Sequence, residues 1–247
     1  MTTGLPRGLH GQVVHHLGAR ILSGDLPPGA ILDLPALERE LGISHTVLRE
    51  SLKVLTAKGL VGARQKRGTF VTDPRSWNML DDDVLRWRTA APDSAALFEK
   101  LAEVRLIIEP AAAALAAQRA TRDDIDALNA CLEKMEQASD DPDSSHEADA
   151  DVEFHAALLR ATHNELLAGL RIVIEHGLRQ RDLIVHSQPH AADPIPTHRA
   201  VLDAVENGDP TAAAEAMLAL LNQAANDFEA LHPARPARPR ASARKRA

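Results

Sequence analysis

Apolar residues recur along most of this chain at intervals of three and four, the period of a helix with one face turned to a core. Over 9–23, Val13, Val14, Leu17, Ile21 and Leu22 form such a stripe, and Gly24-Asp25-Leu26-Pro27-Pro28-Gly29 ends it in a turn. A second short helix is predicted over 34–41. Gly42 suits the left-handed position that closes it, and Ser44 can cap a third helix over 45–58, where Val47, Leu48, Leu52 and Leu55 face inward. Short helices joined by a glycine-containing turn are a helix-turn-helix. The pattern then changes to strand over 60–64, the basic turn Gln65-Lys66-Arg67-Gly68, and strand over 69–72, which predicts a β-hairpin wing.

From residue 94 the helical period returns, over 94–119, 122–138, 146–162, 164–186, 196–207 and 210–230. Pro110 predicts a kink in the first of these, and Thr121, Asn164 and Asp209-Pro210 mark starts. Short connections make neighbouring helices antiparallel. The expected fold is mainly α: a winged helix-turn-helix of α+β type, then an all-α antiparallel helical bundle. The divisions are a flexible N-terminus at 1–8, a DNA-binding domain at 9–74, a linker at 75–93, an effector-binding and dimerisation bundle at 94–232, and a basic disordered tail at 233–247.

Composition agrees with packed helices. Only 2% of the 247 residues are aromatic and none is tyrosine, so the core is aliphatic and small-sided. The single cysteine, Cys131, allows no internal disulfide and fits a reducing compartment and a place in the core. With no signal-like start and no apolar run long enough to span a bilayer, a cytoplasmic protein is expected. The net charge of −7 is unevenly spread. Residues 1–76 hold ten Lys/Arg against six Asp/Glu, 77–231 hold twelve against twenty-nine, and 232–247 hold six against none. Such asymmetry points to one part that meets a polyanion and one that does not.

In a winged helix-turn-helix the start of the third helix reaches base edges and wing cations reach phosphates. Ser44, His45, Thr46, Arg49 and Lys53 on that helix, and Lys66, Arg67 and Gly68 in the wing, are therefore the expected contacts with double-stranded DNA. A second constellation lies in Asp151-Val152-Glu153-Phe154-His155. Helical phase puts Asp151 and His155 on one stripe with Ala148, Val152, Leu158, Leu159 and Thr162, so both face the core. His198 lies likewise between Val201, Leu202 and Val205. Spacing alone leaves two readings open, a buried polar pair or part of a site for a divalent metal such as Zn, Ni or Mn.

The N-terminal segments Gly24 to Gly29, Leu41 to Leu52, Leu55 to Leu60 and Arg67 to Val71 resemble the DNA-binding domain of the GntR family of bacterial transcription regulators. Glu103 to Ala112, Asp151 to His155, His163 to Leu167 and His198 to Asp209 resemble the FadR-type effector domain of that family, called FCD. The resemblance implies a homodimer that binds an operator and is released by a small carboxylate effector. It implies Arg49 as a guanine reader, Asp151, His155 and His198 as metal ligands, and Arg105 as the effector-binding residue. The segments Trp77 to Trp87, Glu103 to Arg105 and Ala120 to Asp124 are similar to the sugar-acid-responsive branch, galactonate repressors among them.

The chain departs from the family pattern at three places. His45 stands where arginine is usual, an arginine of the second helix is replaced near Pro35, and Leu220 occupies the place of a further histidine ligand. His163, His176 and His186 are candidate substitutes. Two competing readings remain, a metal-dependent hydrolase built on Asp151, His155 and His198, and a metal-free dimerisation module joined to a DNA reader.

Overall fold

The computed structural model describes residues 8–138, 144–185 and 193–231. Its N-terminal part consists of α1 (Leu9–Leu22), α2 (Leu34–Leu41), α3 (His45–Ala57), β1 (Val61–Arg64) and β2 (Gly68–Val71). Asp33 caps α2 by accepting from the Ala36 amide at 3.0 Å, and Gly42, at φ 62°, ends it in the left-handed region. The Ser44 hydroxyl accepts from the Val47 amide to start α3. Leu17 of α1, Leu48 and Leu55 of α3, and Leu60 meet in a core closed from solvent.

The two strands are antiparallel, with Val61 opposite Val71 and Arg64 opposite Gly68. Each lies within a residue of its expected position. The turn is tight because Lys66 and Gly68 both take positive φ, of 66° and 82°. Sequence reading missed the edge beside the wing. Gly29 and Leu32 donate to the carbonyls of Val71 and Thr69, so the segment after α1 extends the sheet.

A 3-10 turn at Pro74–Ser76 leads to α4 (Asp82–Thr89), which ties the head to the rest. Both tryptophans pack. Trp77 Nε1 donates to Thr72 Oγ1 at 3.2 Å, and Trp87 Nε1 donates to His15 Nδ1 at 2.9 Å. The Trp87 ring lies on Gly18, where a Cβ would come within 2.3 Å of it, so only glycine lets α1 and α4 approach this closely. Lys58, the residue that ends α3, is held by Asp81 at 2.7 Å and Asp83 at 2.8 Å.

The bundle contains α5 (Ala95–Arg119), α6 (Arg122–Ala138), α7 (Ser144–Ala161), α8 (Glu165–Gly169), α9 (Arg171–Val185), α10 (Ile195–Glu206) and α11 (Pro210–Leu231). α7 packs against α5, α6, α8 and α9, and Phe154, Leu158 and Leu159 on it are shut off from water. One expectation needs correction. The segment expected as one helix over 164–186 is α8 and α9, because after Gly169 the chain tightens into a Leu170 amide to Leu167 carbonyl bond. The helix expected over 94–119 is α5, which contains Pro110 in its interior. The carbonyl that loses its partner there belongs to Leu106, a residue 41% exposed, so solvent can serve it. Cys131 is buried in the core, and burial pushes its thiol up. No helix among the described residues is long and apolar enough to cross a membrane. The expected tail at 233–247, the start at 1–7 and His186 lie outside the described residues.

Candidate functional site

The residues expected to meet DNA are exposed on the head: the cap Ser44 and His45, Thr46, Arg49 and Lys53 of α3, and Lys66, Arg67 and Gly68 in the wing. Two of them face a nearby carboxylate. His45 Nδ1 lies 2.6 Å from Glu38 Oε1 of α2, and Lys53 Nζ lies 2.7 Å from Glu50. The wing adds one residue that sequence reading did not select. The guanidinium of Arg67 stands 4.6 Å, and that of Arg64 5.4 Å, from the centre of the Phe70 ring. Gly62, paired with Phe70, makes room, since a Cβ there would meet the ring at 2.9 Å. Strand alternation carried the signal for Arg64: residues 62 and 64 share the face on which Phe70 lies. Stacked guanidiniums are pre-ordered cations, suited to phosphate.

The second constellation is wholly enclosed. Asp151, His155 and His198 are exposed by 2%, 0% and 1%, and one ligand atom from each can be chosen so that all lie within 4.8 Å of one another. Helical phase on α7 and α10 brings them together, as the sequence pattern required. His198 Nε2 is 2.8 Å from Asp151 Oδ1, and His155 Nε2 is 3.5 Å from the same oxygen. On its outer side His198 Nδ1 donates to the Pro194 carbonyl at 2.8 Å, which turns Nε2 toward the cluster. His155 Nδ1 is 2.5 Å from Glu109 Oε2, a contact that is short but not aligned as a hydrogen bond. Arg105 Nε donates to the other oxygen, Glu109 Oε1, at 2.5 Å. The five side chains thus form a chain from α5 through α7 to α10.

Electrostatics follow from that order. Burial would raise the Glu109 carboxyl, but Arg105 and His155 hold it at about 2. Burial would lower His155, but Glu109 and Asp151 raise it to about 9. Asp151 lies well below the ordinary carboxylate range: burial opposes ionisation, and the contacts of His155 and His198 outweigh it. Asp151 Oδ2 and His155 Nε2 are buried with no aligned partner. Oriented imidazole nitrogens and an unpartnered carboxylate oxygen are the donor set that suits a divalent metal.

Of the suggested substitute ligands, His163 and His176 are elsewhere. His163 is half-exposed and 2.8 Å from Asp124, and His176 Nε2 is 2.9 Å from Asp82 of α4. Leu220 is buried in the main core, where it offers no donor. Glu109 is the site residue that sequence reading did not assign. Its spacing of four from Arg105 was the available signal; its reach to His155 depends on how α5 crosses α7.

Comparison with known proteins agrees with both halves. A family profile described as bacterial regulatory proteins of the gntR family matches residues 9–71, and one described as FCD domain matches residues 100–223. The galactonate operon transcriptional repressor of Escherichia coli is 33% identical over 215 residues, covering 85% of this chain and 92% of the relative. The putative L-lactate dehydrogenase operon regulatory protein of E. coli is 33% identical over 229 residues, covering 88% and 85%. Among solved structures, a Streptococcus agalactiae GntR protein superposes with a TM-score of 0.50 at 27% identity, covering 87% of this chain and 97% of that one. The Lar protein of Listeria monocytogenes gives a TM-score of 0.60 at 21% identity, covering 92% and 100%, a likeness of fold.

Proposed function

The chain belongs to the GntR family of bacterial regulatory proteins and carries an FCD domain, and from this premise we propose a homodimeric repressor that leaves its operator when a sugar acid enters the bundle. Ligand-responsive DNA binding is the function of the whole; the effector, the metal and the residues assigned below are our reading. What carries it is the pairing of an exposed cationic head with a buried cluster of carboxylates, histidines and Arg105.

In this reading residues 9–74 read DNA, 75–93 link, and 94–232 sense and dimerise. Arg49 reads a guanine edge through its forked donors, and Ser44, His45, Thr46, Lys53, Lys66, Arg67 and Gly68 contact neighbouring bases and phosphates. Asp151, with Nε2 of His155 and of His198, would hold Zn, Ni or Mn, which supplies positive charge facing an acidic ligand when bound. Arg105 presents its guanidinium to the effector carboxylate. Similarity to the galactonate operon repressor supports an aldonate. Exposed Leu106 and Ile107 on α5, and Leu218 on the neighbouring α11, offer apolar surface for a second copy.

Because all five polar side chains are enclosed, a ligand is admitted only when a packed helix moves, and that movement is the source of regulation. Arg105 lies beside Gly177 of α9, His176 next to it bonds Asp82 of α4, and α4 holds Lys58 at the end of α3. To turn DNA binding over from 99:1 to 1:99, the effector must prefer the releasing arrangement by about 5.5 kcal/mol. The hydrolase alternative lacks a base: Glu109, the nearby carboxylate, is committed to Arg105 and His155 and is a weak proton acceptor at about 2.

A thermal-shift screen of sugar acids, run with zinc and again with a chelator, tests the sensing half. An aldonate that raises the melting temperature, and raises it less with chelator, is expected. A flat response to every acid in both conditions refutes it.

A further inference from the structure

Glu109 lies between the two parts of the sensing cluster and is assigned by neither. It is 1% exposed, and its two oxygens face different partners: Oε1 accepts from Arg105 Nε, and Oε2 meets His155 Nδ1. With Oε1 taken by the Arg105 guanidinium, Oε2 is the oxygen left to face Nδ1, 2.5 Å away, as an acceptor for its proton. The opposite nitrogen, Nε2, points toward Asp151 and His198. The same division occurs at His198, where the Pro194 carbonyl accepts a hydrogen bond from Nδ1–H and Nε2 faces Asp151. Both rings therefore face an acceptor on the outer side, a backbone carbonyl in hydrogen bond to His198 and a carboxylate in close contact with His155, and both aim the same nitrogen inward.

A carboxylate held only by a histidine could swing away. Here it is fixed by a second charge, since Arg105 is one helical turn before Glu109 on α5 and pairs with its other oxygen. α5 and α7 pack against each other, so the Glu109 to His155 contact is set by the crossing of two helices.

We propose that Glu109 is the positioning residue of the metal centre: anchored by Arg105, it fixes the proton of His155 on Nδ1 and leaves Nε2 as the metal donor. This rests on the proposed metal site at Asp151, His155 and His198, and goes beyond it by naming the residue that orients one of its three ligands. It also means that an effector engaging Arg105 acts one residue away from a metal ligand.

The test uses the full chain and Zn2+ as probe, titrated in competition with a chromophoric chelator. Glu109→Gln is expected to bind zinc on the order of 10- to 100-fold more weakly. Glu109→Asp keeps the charge but withdraws it by a methylene, and is expected to lose at least about 10-fold as well. Native-like zinc affinity in Glu109→Asp would mean that charge alone matters and would overturn the positioning role. Nitrogen-15 NMR of the zinc-loaded native chain decides the same question should either variant fail to fold. Zinc on His155 Nε2 with a slowly exchanging Nδ1 proton is expected, and zinc on Nδ1 contradicts the proposal. Zinc uptake unchanged in Glu109→Gln overturns the role of Glu109 alone. A native chain that takes up no zinc overturns the metal site, and the role of Glu109 with it.

Discussion

The head and the bundle place their chemistry in opposite settings. On the head, Arg49, Lys66 and Arg67 stand exposed on a scaffold whose core is Leu17, Leu48 and Leu55. In the bundle, Arg105, Glu109, Asp151, His155 and His198 are themselves part of the core. A DNA reader must meet a large rigid polyanion from outside, so its cations stay in water and cost nothing in desolvation. A small acid is recognised by enclosure, where each interaction is stronger but each charge must be paired. Function and stability are therefore separable in the head and joined in the bundle.

That separation predicts effects of very different size. The largest is expected from Asp151→Ala, which strips both histidines of their shared carboxylate. Breaking a buried ionic partnership of this kind destabilises by about 3–5 kcal/mol, measured by urea unfolding of the metal-free chain. Loss below about 1 kcal/mol would show that the cluster is not a coupled unit. Next comes Arg49→Ala. It should leave unfolding within about 0.5 kcal/mol of the native chain, yet weaken operator binding by about 1–3 kcal/mol and relax the preference at a single base pair. A comparable loss on all DNA sequences would make Arg49 a phosphate contact instead.

Between the two regions, Asp82→Ala removes the bond from α4 to His176 of α9. Operator affinity without ligand should barely move, while the coupling between effector and DNA changes by about 0.5–2 kcal/mol. Unaltered coupling places the route elsewhere. The smallest effect concerns the cap of α6, where Thr121 and Asp124 bond reciprocally and His163 joins them. Burial would raise Asp124, but the Thr121 hydroxyl and amide, with His163, lower it. A carboxyl lowered on folding stabilises above its unfolded value, and the benefit is lost as pH falls through its folded value. Asp124→Asn should cost about 1 kcal/mol at neutral pH. The gap from the native chain should close progressively in acid, and a gap independent of pH would assign the effect to packing.

Much of this was legible in the sequence. The head followed nearly residue by residue, because turn glycines, caps and apolar spacing are local signals, and α2 came out at its predicted bounds of 34 and 41. Burial of Asp151, His155 and His198 was also legible, since period 3.6 assigns a polar residue to a face without reference to any other helix. What the period could not give was contact between elements. Glu109 sits opposite His155 only because α5 crosses α7, and Arg64 stacks on Phe70 only because the hairpin pairs Gly62 with it. Pro110 lies inside a single helix, as expected, and the carbonyl it strands belongs to Leu106, an exposed residue. The break at Leu170 was undervalued, because the apolar pattern continues across it into Ile174 and Leu178.

The most direct measurement is fluorescence anisotropy of an operator, recovered by in vitro selection with the full chain and titrated in the presence of a panel of aldonates. Regulated release requires at least one aldonate to weaken operator binding by tenfold or more, with the response abolished in Arg105→Gln. Operator affinity untouched by every acid, in a chain that binds DNA well, would contradict it.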